Sequence, residues 1–410
     1  MMKTFSAAFF FLLLVLSCSH KSKYETMEQY FSKNNNHEVN LLRIGTTSYY
    51  HVINILSANG GIITAPESDL SKISIKSEII KSSAVSEALD DFINFRSDIL
   101  IISYSDYMKN FDSLKYFNPR VFAVSARSSG NLVIEGNIES FKKKNTVSIT
   151  DNTNSFFSEF YCRLNDVKTG KNTGEIISAV DLLDNTLSKD AITSTASFPY
   201  FEPYIMIARK YFLSERTAVI TKLLKTIYET QTPKAEILSS EVLSISPEKN
   251  LLIEQASFGD AKAFFGESSS SPNFIRLFKI RGGNNKRNIE FIDSFEPFFI
   301  SSIEIKTKSA SRNQNNSKES FEFTIKAEDG NITSSEIIKI EFYAFAGTTM
   351  RNTTVKLSTS GFTDYAEESA AIRRVKEKIA TYGYSPGKIS ETRNRNGNND
   401  KILTITFISE

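Results

Sequence analysis

The chain has 410 residues, of which 40% are hydrophobic and 23% charged, and its formal net charge is +2. This length predicts two or three domains, the apolar content excludes wholesale disorder, and the balanced charge disfavours a nucleic-acid-binding protein. All three histidines lie within the first 51 positions, and Cys162 is the one cysteine after Cys18. The body of the chain therefore cannot carry histidine-based catalysis, a histidine zinc site or an internal disulfide. The composition favours a protein that is not an enzyme and needs no cofactor.

The N-terminus has the pattern of a secretory signal. Lys3 precedes the apolar run Phe9–Leu16, whose eight residues are too few to span a bilayer. Ser17-Cys18 follows, and a small residue directly before a cysteine resembles the lipobox of bacterial lipoproteins. The resemblance implies that residues 1–17 are removed and that Cys18 is acylated, for example with palmitate; an ordinary secretory signal is the alternative. We expect an extracytoplasmic protein of the bacterial cell envelope, anchored to a membrane at Cys18, with residues 18–40 as a flexible tether.

From Leu41 onward, short apolar strands alternate with amphipathic helices. Leu41–Gly45 predicts a strand, and the hydroxyls of Thr46, Thr47 and Ser48 can cap the helix after it. Ile99–Ile102 is a continuous apolar run, typical of a strand that is buried on both faces. Further strands are predicted at 72–80, 120–125, 131–134, 146–150, 175–180 and 190–194, with helices at 49–58, 84–95, 138–144, 156–164, 205–231 and 233–243. This alternation favours a mostly parallel α/β sheet covered on both faces.

The character of the sequence changes at Ser268–Ser271. Residues 271–288 hold five basic side chains and no acidic one, which predicts a basic linker at 267–288. Beyond it we predict a separate C-terminal α+β domain at 289–410. Its strands are expected at 300–306, 321–327, 337–344, 353–357 and 402–407, with one helix at 365–382.

Five stretches within residues 41–266 carry a family resemblance: Leu42–Gly45, Ser86–Ile101, Asn131–Phe141, Leu187–Tyr200 and Ile205–Phe212. Their order resembles the type 2 periplasmic substrate-binding proteins of ABC transporters, especially the branch for nitrate, sulfonates, taurine and thiamine precursors. The resemblance implies an α/β fold of two lobes that close without catalysis over a small polar or anionic ligand and deliver it to an ABC permease. The chain departs from the family at Lys189, where a glycine is usual, in its lack of tryptophan, and in its C-terminal domain.

The resemblance places the ligand in a crevice at the carboxyl ends of strands, where helix N-termini favour anionic or zwitterionic groups. Polar loops after three predicted strands would bind it, and aromatic side chains would form the walls. The candidate ligand-binding residues are Thr46, Thr47, Ser48, Tyr49, Ser103, Tyr104, Asn152, Thr153, Asn154, Ser155, Phe198 and Tyr200. For each hydroxyl and amide, the alternative is that it only caps a helix. No metal site is predicted.

The C-terminal domain supports a second hypothesis. Thr363-Asp364 and the helix after them resemble the peptidoglycan-binding domain of outer-membrane-protein-A type, although Arg373 and Arg374 lie too close in sequence to match that family's arginine. In this alternative, an envelope lipoprotein uses the two-lobed fold as a scaffold and docks on protein or peptidoglycan through its C-terminal domain. A pyrimidine-precursor synthase of the same superfamily is disfavoured, because the chain lacks the internal histidine and the cysteine-rich motif. Cys162 lies on an apolar helix face and is predicted to be a buried, unreactive thiol.

Overall fold

The computed structural model describes residues 41–136, 146–150, 155–170, 176–186, 191–198, 201–230, 234–266, 273–280, 288–305, 320–328, 330–347, 353–394 and 400–408. The predicted signal, the tether and Cys18 lie outside these residues. The described chain forms three β-sheets with helices packed around them. The predicted two-lobed α/β fold with a C-terminal α+β domain is confirmed. Among the described helices, none is long and apolar enough to cross a membrane.

The first lobe is built on a six-stranded sheet with strand order β11-β4-β10-β3-β1-β2. Its strands are β1 (Leu41–Thr46), β2 (Lys76–Lys81), β3 (Ile99–Ser103), β4 (Pro119–Ser128), β10 (Pro203–Arg209) and β11 (Ile253–Gln255). β1 is parallel to β2 and β3, whereas β10 runs antiparallel to β3 and β4. Helices cover the sheet on both faces, so β3 is buried at every residue, as its apolar run predicts.

Nine described helices surround the sheet of the first lobe. They are α1 (Ile53–Asn59), α2 (Asp69–Lys72), α3 (Val85–Ile93), α4 (Tyr104–Leu114), α6 (Lys210–Glu215), α7 (Thr217–Glu229), α8 (Ala235–Leu238), α9 (Pro247–Asn250) and α10 (Phe258–Phe265). A 3₁₀ turn at Tyr49–Val52 precedes α1. These helices bury β1 and β3, so the carboxyl ends of both strands lie inside the fold rather than at its surface.

The second lobe has a five-stranded sheet with strand order β7-β6-β8-β5-β9. It contains β5 (Leu132–Glu135), β6 (Thr146–Ile149), helix α5 (Ser155–Leu164), β7 (Lys168–Thr169), β8 (Ile176–Asp181) and β9 (Ala191–Ser194). The chain enters this lobe through residues 128–132, the first crossover, and leaves it through the second crossover, of which residues 194–198 and 201–203 are described. The hydroxyl groups of Ser128 and Thr195 hydrogen-bond each other, so the two crossovers run side by side.

The C-terminal domain contains a third sheet with strand order β13-β12-β16-β14-β15. Its elements are β12 (Ser320–Glu328), β13 (Asn331–Ile332), α14 (Ser334–Gly347), β14 (Thr354–Ser360), α15 (Tyr365–Ala380), β15 (Ile389–Arg393) and β16 (Ile402–Ile408). Along the central strand β16, buried and half-buried residues alternate, because one face of the sheet is covered by α14.

The predicted basic linker at 267–288 contains a buried helix, α11 (Asn273–Ile280). Phe274 accepts a hydrogen bond at its carbonyl oxygen from the Tyr104 hydroxyl group at 2.9 Å. Arg276 donates to the carbonyl oxygen of Thr381 at 3.1 Å, and its guanidinium group stacks on the Tyr382 ring. The linker prediction is wrong for this stretch, because the basic side chain that suggested exposure is satisfied inside the fold.

The described residues 288–305 pack on the first lobe rather than on the C-terminal domain. They include the helices α12 (Asn288–Asp293) and α13 (Phe298–Ser301). The Val121 amide of β4 donates to the Ser294 carbonyl oxygen at 2.7 Å, and the Glu296 amide donates back to Val121 at 2.8 Å. The predicted boundary at 289 is therefore wrong. The strand predicted at 300–306 is also wrong, because the adjacent residues Phe299 and Ile300 are both buried in α13.

The strand predicted at 337–344 is instead the middle of α14. Thr333 caps this helix by accepting the Glu336 amide at 3.3 Å. The run is apolar almost all round because α14 lies between the C-terminal sheet and α5 of the second lobe, with Phe342 fully buried. A helix that is covered on two sides shows no polar stripe, and that hides its 3.6-residue period.

Candidate functional site

The two crossovers enclose a cluster of buried polar side chains that joins the two lobes. Asn131, in the first crossover, is fully buried. Its Nδ2 donates to the Asp181 carboxylate of the second lobe at 3.0 Å and to the Tyr204 hydroxyl oxygen of the first lobe at 2.8 Å. Its Oδ1 accepts from the Ser128 hydroxyl group. One amide side chain therefore connects a carboxylate on one lobe with a phenol on the other.

The N-terminus of α4 forms the other side of this cluster. Ser103 caps the helix by accepting the Asp106 amide at 3.0 Å, and its hydroxyl group donates to Asp106 Oδ2 at 2.6 Å. The Ser105 amide and hydroxyl group both donate to the Glu202 carboxylate, the amide at 3.0 Å. Glu202 is 1% exposed and belongs to the second crossover. An internal carboxylate thus occupies the helix N-terminus where the sequence predicts an anionic ligand.

Three carboxyl groups belong to this cluster: the buried Asp106 and Glu202 and the half-buried Asp181. Burial raises the pKa of Asp106 to about 7; the hydrogen bond from Ser103 opposes this, and the nearby Glu202 and Asp181 add to it. Burial also raises the pKa of Asp181 to about 6, against the hydrogen bonds from Asn131 and the Leu183 amide. With these raised pKa values, Asp106 and Asp181 are poised to exchange protons near neutral pH.

A stacked aromatic pair lies beside the carboxyl groups. The rings of His51 and Tyr204 are parallel to within 20°, with their centroids 3.7 Å apart. His51 is 4% exposed, and neither ring nitrogen has a hydrogen-bond partner among the described residues. Burial lowers the pKa of His51 to about 3 and raises that of Tyr204 well above its usual value. Both rings are therefore uncharged at neutral pH.

The predicted loop after β1 lies at the edge of this cluster. Thr46 is fully buried, and its hydroxyl group donates to the Ser48 carbonyl oxygen at 3.1 Å. Ser48 caps the following turn by accepting the Tyr50 amide at 3.4 Å. Thr47 and Tyr49 are half-buried, and Lys81 lies over the Tyr49 ring. Thr46 and Ser48 thus make the local contacts of the capping alternative.

Two of the predicted aromatic walls lie in hydrophobic cores instead. Tyr104 is fully buried and packs on Phe264, Phe291 and Phe295, which is the far side of α4 from Asp106. Phe198 is 6% exposed and lies in the aromatic cluster beneath α14. Both side chains therefore contribute to hydrophobic packing, and their role as walls of a ligand site stays a prediction. Ser103 does border the cluster and Ser155 is half-buried at the start of α5, whereas Asn152, Thr153, Asn154 and Tyr200 lie outside the described residues.

Sequence reasoning missed Asp106, Asn131, Asp181, Glu202 and the His51–Tyr204 pair. Ser103-x-x-Asp106 has the spacing of a helix cap, so its carboxylate carried no separate signal. The sequence signal that could have pointed to Asn131 is the pair Gly130-Asn131 between two apolar strands. In the structure Gly130 has a φ of +140°, a backbone conformation that residues other than glycine rarely adopt. That conformation turns the chain sharply just before Asn131.

The described residues hold no group of three or more His, Cys, Asp or Glu side chains arranged to bind a metal ion. Cys162 is fully buried, and burial raises the pKa of its thiol to about 12. The described part of the site offers hydrogen-bonding groups and carboxyl groups.

No known family and no curated protein matches the sequence. Solved structures do match. The ligand-binding component of an ABC-type import system from Staphylococcus aureus, with zinc bound, is 12% identical, with 65% of this chain and 99% of that chain covered and a TM-score of 0.45. The periplasmic nitrate-binding protein NrtA from Synechocystis PCC 6803 is 11% identical, with 62% and 84% covered and a TM-score of 0.44. A Candida albicans protein with the generic periplasmic binding protein fold is 9% identical, with 62% and 96% covered and a TM-score of 0.41.

The matched structures thus include a ligand-binding component of an import system and a periplasmic nitrate-binding protein. With TM-scores below 0.5, these similarities carry no argument about the ligand. The function is therefore argued from the geometry of this chain.

Proposed function

We propose that this chain is an extracytoplasmic solute-binding protein, lipid-anchored at Cys18, that holds a small polar ligand between its two lobes for an ABC importer. The observation that carries the proposal is the buried polar cluster at the two crossovers, to which both lobes contribute. Unpartnered polar atoms that are fully buried are costly, by about 1–3 kcal/mol each, and a ligand that bonds to them recovers that cost. Closure over such a ligand needs differential affinity for the closed state and no catalytic group.

A thermal-shift screen of the full chain in detergent tests this role. The panel covers oxyanions, sulfonates, amino acids, pyrimidines and amines. A true ligand at about one hundred times its Kd adds about 2.7 kcal/mol of stability, which raises the Tm of a domain this size by about 5–10 °C. Asn131→Ala removes the bridge between the lobes and is expected to abolish that shift. If no class of compound raises the Tm, the solute-binding role is refuted.

The anchor is tested separately from ligand binding. Labelling of expressing cells with a clickable fatty acid should mark the wild-type chain and spare Cys18→Ser. Cys162→Ser is the matched control and should label normally, since its thiol is buried. Equal labelling of Cys18→Ser and wild type would contradict lipidation at Cys18.

A scaffold role is the second candidate, and one observation favours it: the donors at the α4 N-terminus are already bonded to Glu202. In this role the C-terminal domain binds a protein or peptidoglycan. Asp364 caps α15 by accepting the Ala366 amide at 2.8 Å, while Arg374 donates to the Gly330 carbonyl oxygen at 3.3 Å. Asp364 thus makes a helix cap, whereas Arg374 makes a contact within the C-terminal domain between segments that are distant in sequence. Co-sedimentation of the full chain with purified peptidoglycan, lost in Arg373→Ala, would support this candidate, and failure to co-sediment would remove its peptidoglycan form.

A further inference from the structure

The buried cluster carries an excess of acidic groups. Asp106 lies on α4 of the first lobe, Asp181 ends β8 of the second lobe, and Glu202 lies in the second crossover. They are close enough that Glu202 and Asp181 both influence the protonation of Asp106 more strongly than Lys109 does. Like charges that are buried together repel one another unless a proton or a cation lies between them.

The cluster also contains polar atoms that are bonded to nothing in the described chain. Oδ2 of Asp106 is bonded to Ser103, but Oδ1 has no partner among the described residues, although Asp106 is 7% exposed. The two ring nitrogens of His51 are equally unpartnered within the described chain. His51 lies against Tyr204, and Tyr204 is bonded through Asn131 to Asp181. The cluster therefore holds an unpartnered carboxylate oxygen on Asp106 and, on the neutral His51 ring, one unpartnered N–H donor and one unpartnered acceptor nitrogen.

The same geometry argues against an anion. An anion at the α4 N-terminus would need hydrogen bonds from the backbone amides there. The Ser105 amide already donates to Glu202, and the Asp106 amide already donates to Ser103. An anion placed here would be repelled by the carboxyl groups of this cluster. Bare metal ions are disfavoured too, because the described residues provide no metal-binding group.

We propose that the ligand bears an ammonium or guanidinium group, and that Asp106 and Asp181 bind this group between the two lobes. This proposal rests on the proposed solute-binding function. An organic cation brings several N–H donors to the unpartnered Oδ1 of Asp106 and places its charge between the carboxylates. The uncharged His51–Tyr204 stack does not repel the cation and offers it an apolar wall.

The test is a titration of the full chain with amines against matched compounds of other charge. The cationic probes are putrescine, agmatine, arginine and choline; the others are sulfate, nitrate, succinate and ribose. We expect calorimetry at pH 7.5 to show that one or more cationic probes bind. The binding heat should differ between two buffers of different ionisation heat, which would show that binding releases protons. A charge-assisted hydrogen bond contributes about 1.5–3 kcal/mol, so Asp106→Asn should weaken that binding about 10- to 100-fold. Asp181→Asn should weaken it as well.

Asp112→Asn is the control. It lies on the same helix, is exposed and pairs with Lys115, so it should bind the cation as the wild type does. If an anionic or neutral probe binds and the cations do not, the charge assignment is overturned while solute binding stands. If a cation binds but both Asp106→Asn and Asp181→Asn retain wild-type affinity, the residue assignment is overturned. If no probe and no compound of the wider screen binds, the proposed function itself fails.

Discussion

Asp106→Asn is expected to stabilise the protein at alkaline pH and not at acidic pH. The carboxyl group of Asp106 has a pKa of about 7 in the folded chain, compared with 3.8 in an exposed aspartate. Because the folded-state pKa is the higher one, the folded state keeps this proton after the unfolded state has lost it. Stability from this group is therefore complete below about pH 4, falls between pH 4 and 7, and stays low above that.

The magnitude follows from the size of the pKa difference. Each pKa unit corresponds to about 1.4 kcal/mol, so a shift from 3.8 to about 7 gives roughly 4 kcal/mol as an upper value. Asn has nearly the same shape and no charge, so it avoids this cost at pH 8. At pH 4.5 the wild-type carboxyl group is itself neutral when folded, and the two chains should differ by less than about 1 kcal/mol.

Urea unfolding at pH 4.5, 6 and 8 measures the effect as the difference between variant and wild type. Asp181 also titrates in this range and remains in both chains, so its share largely cancels in that difference. Asp112→Asn, exposed on the same helix, should show no comparable gain at any of the three pH values. If Asp106→Asn gains the same stability at pH 4.5 and pH 8, or none at pH 8, the conclusion that burial disfavours the charged form of Asp106 is refuted.

Three further outcomes are expected elsewhere in the fold. Gly347→Ala should destabilise the C-terminal domain by about 1–3 kcal/mol in thermal unfolding, because a Cβ there would overlap buried aromatic side chains. Gly387→Ala is the control and should leave the stability unchanged, because a Cβ there would have no atom within 4 Å. Cys162 should not react with a thiol reagent until urea unfolds the chain, because it is buried and its pKa is raised to about 12. Phe342→Ala should cost about 3–5 kcal/mol, and Phe298→Ala, which is half-exposed, should cost far less in the same urea titration.

The sequence predicts those parts of the fold that depend on local pattern. The apolar run Ile99–Ile102 indicates a doubly covered strand, and β3 is that strand. Pattern fails where an element is buried by distant segments: α14 reads as a strand because its polar face is missing, and α11 reads as a linker because it is basic. Burial decides both cases, and burial depends on packing partners that are far away in sequence.

The candidate site shows the same limit more strongly. The sequence points to Ser103 because this residue directly follows a predicted strand, and its hydrogen bond with Asp106 joins residues only three apart. Glu202 reaches Ser105 across 97 residues, and Asn131 reaches Tyr204 across 73. No periodicity records such pairings. The sequence predicts an anion-binding terminus at α4 because it does not record that Glu202, from a distant crossover, accepts a hydrogen bond from the Ser105 amide there.

The position of the C-terminal domain constrains how the lobes can separate. Phe342 of α14 packs on Phe160 of the second lobe, with ring centroids 5.2 Å apart, and on Phe201 of the second crossover. On the other side, α11 contacts α14 and is held to the first lobe, where the Phe274 and Phe295 rings stack 3.9 Å apart. A rotation that opens the lobes must therefore break one of these aromatic contacts or bend the segments between them. Because such contacts contribute about 0.5–1.5 kcal/mol each beyond their buried area, the C-terminal domain adds to the free energy that separating the lobes would cost.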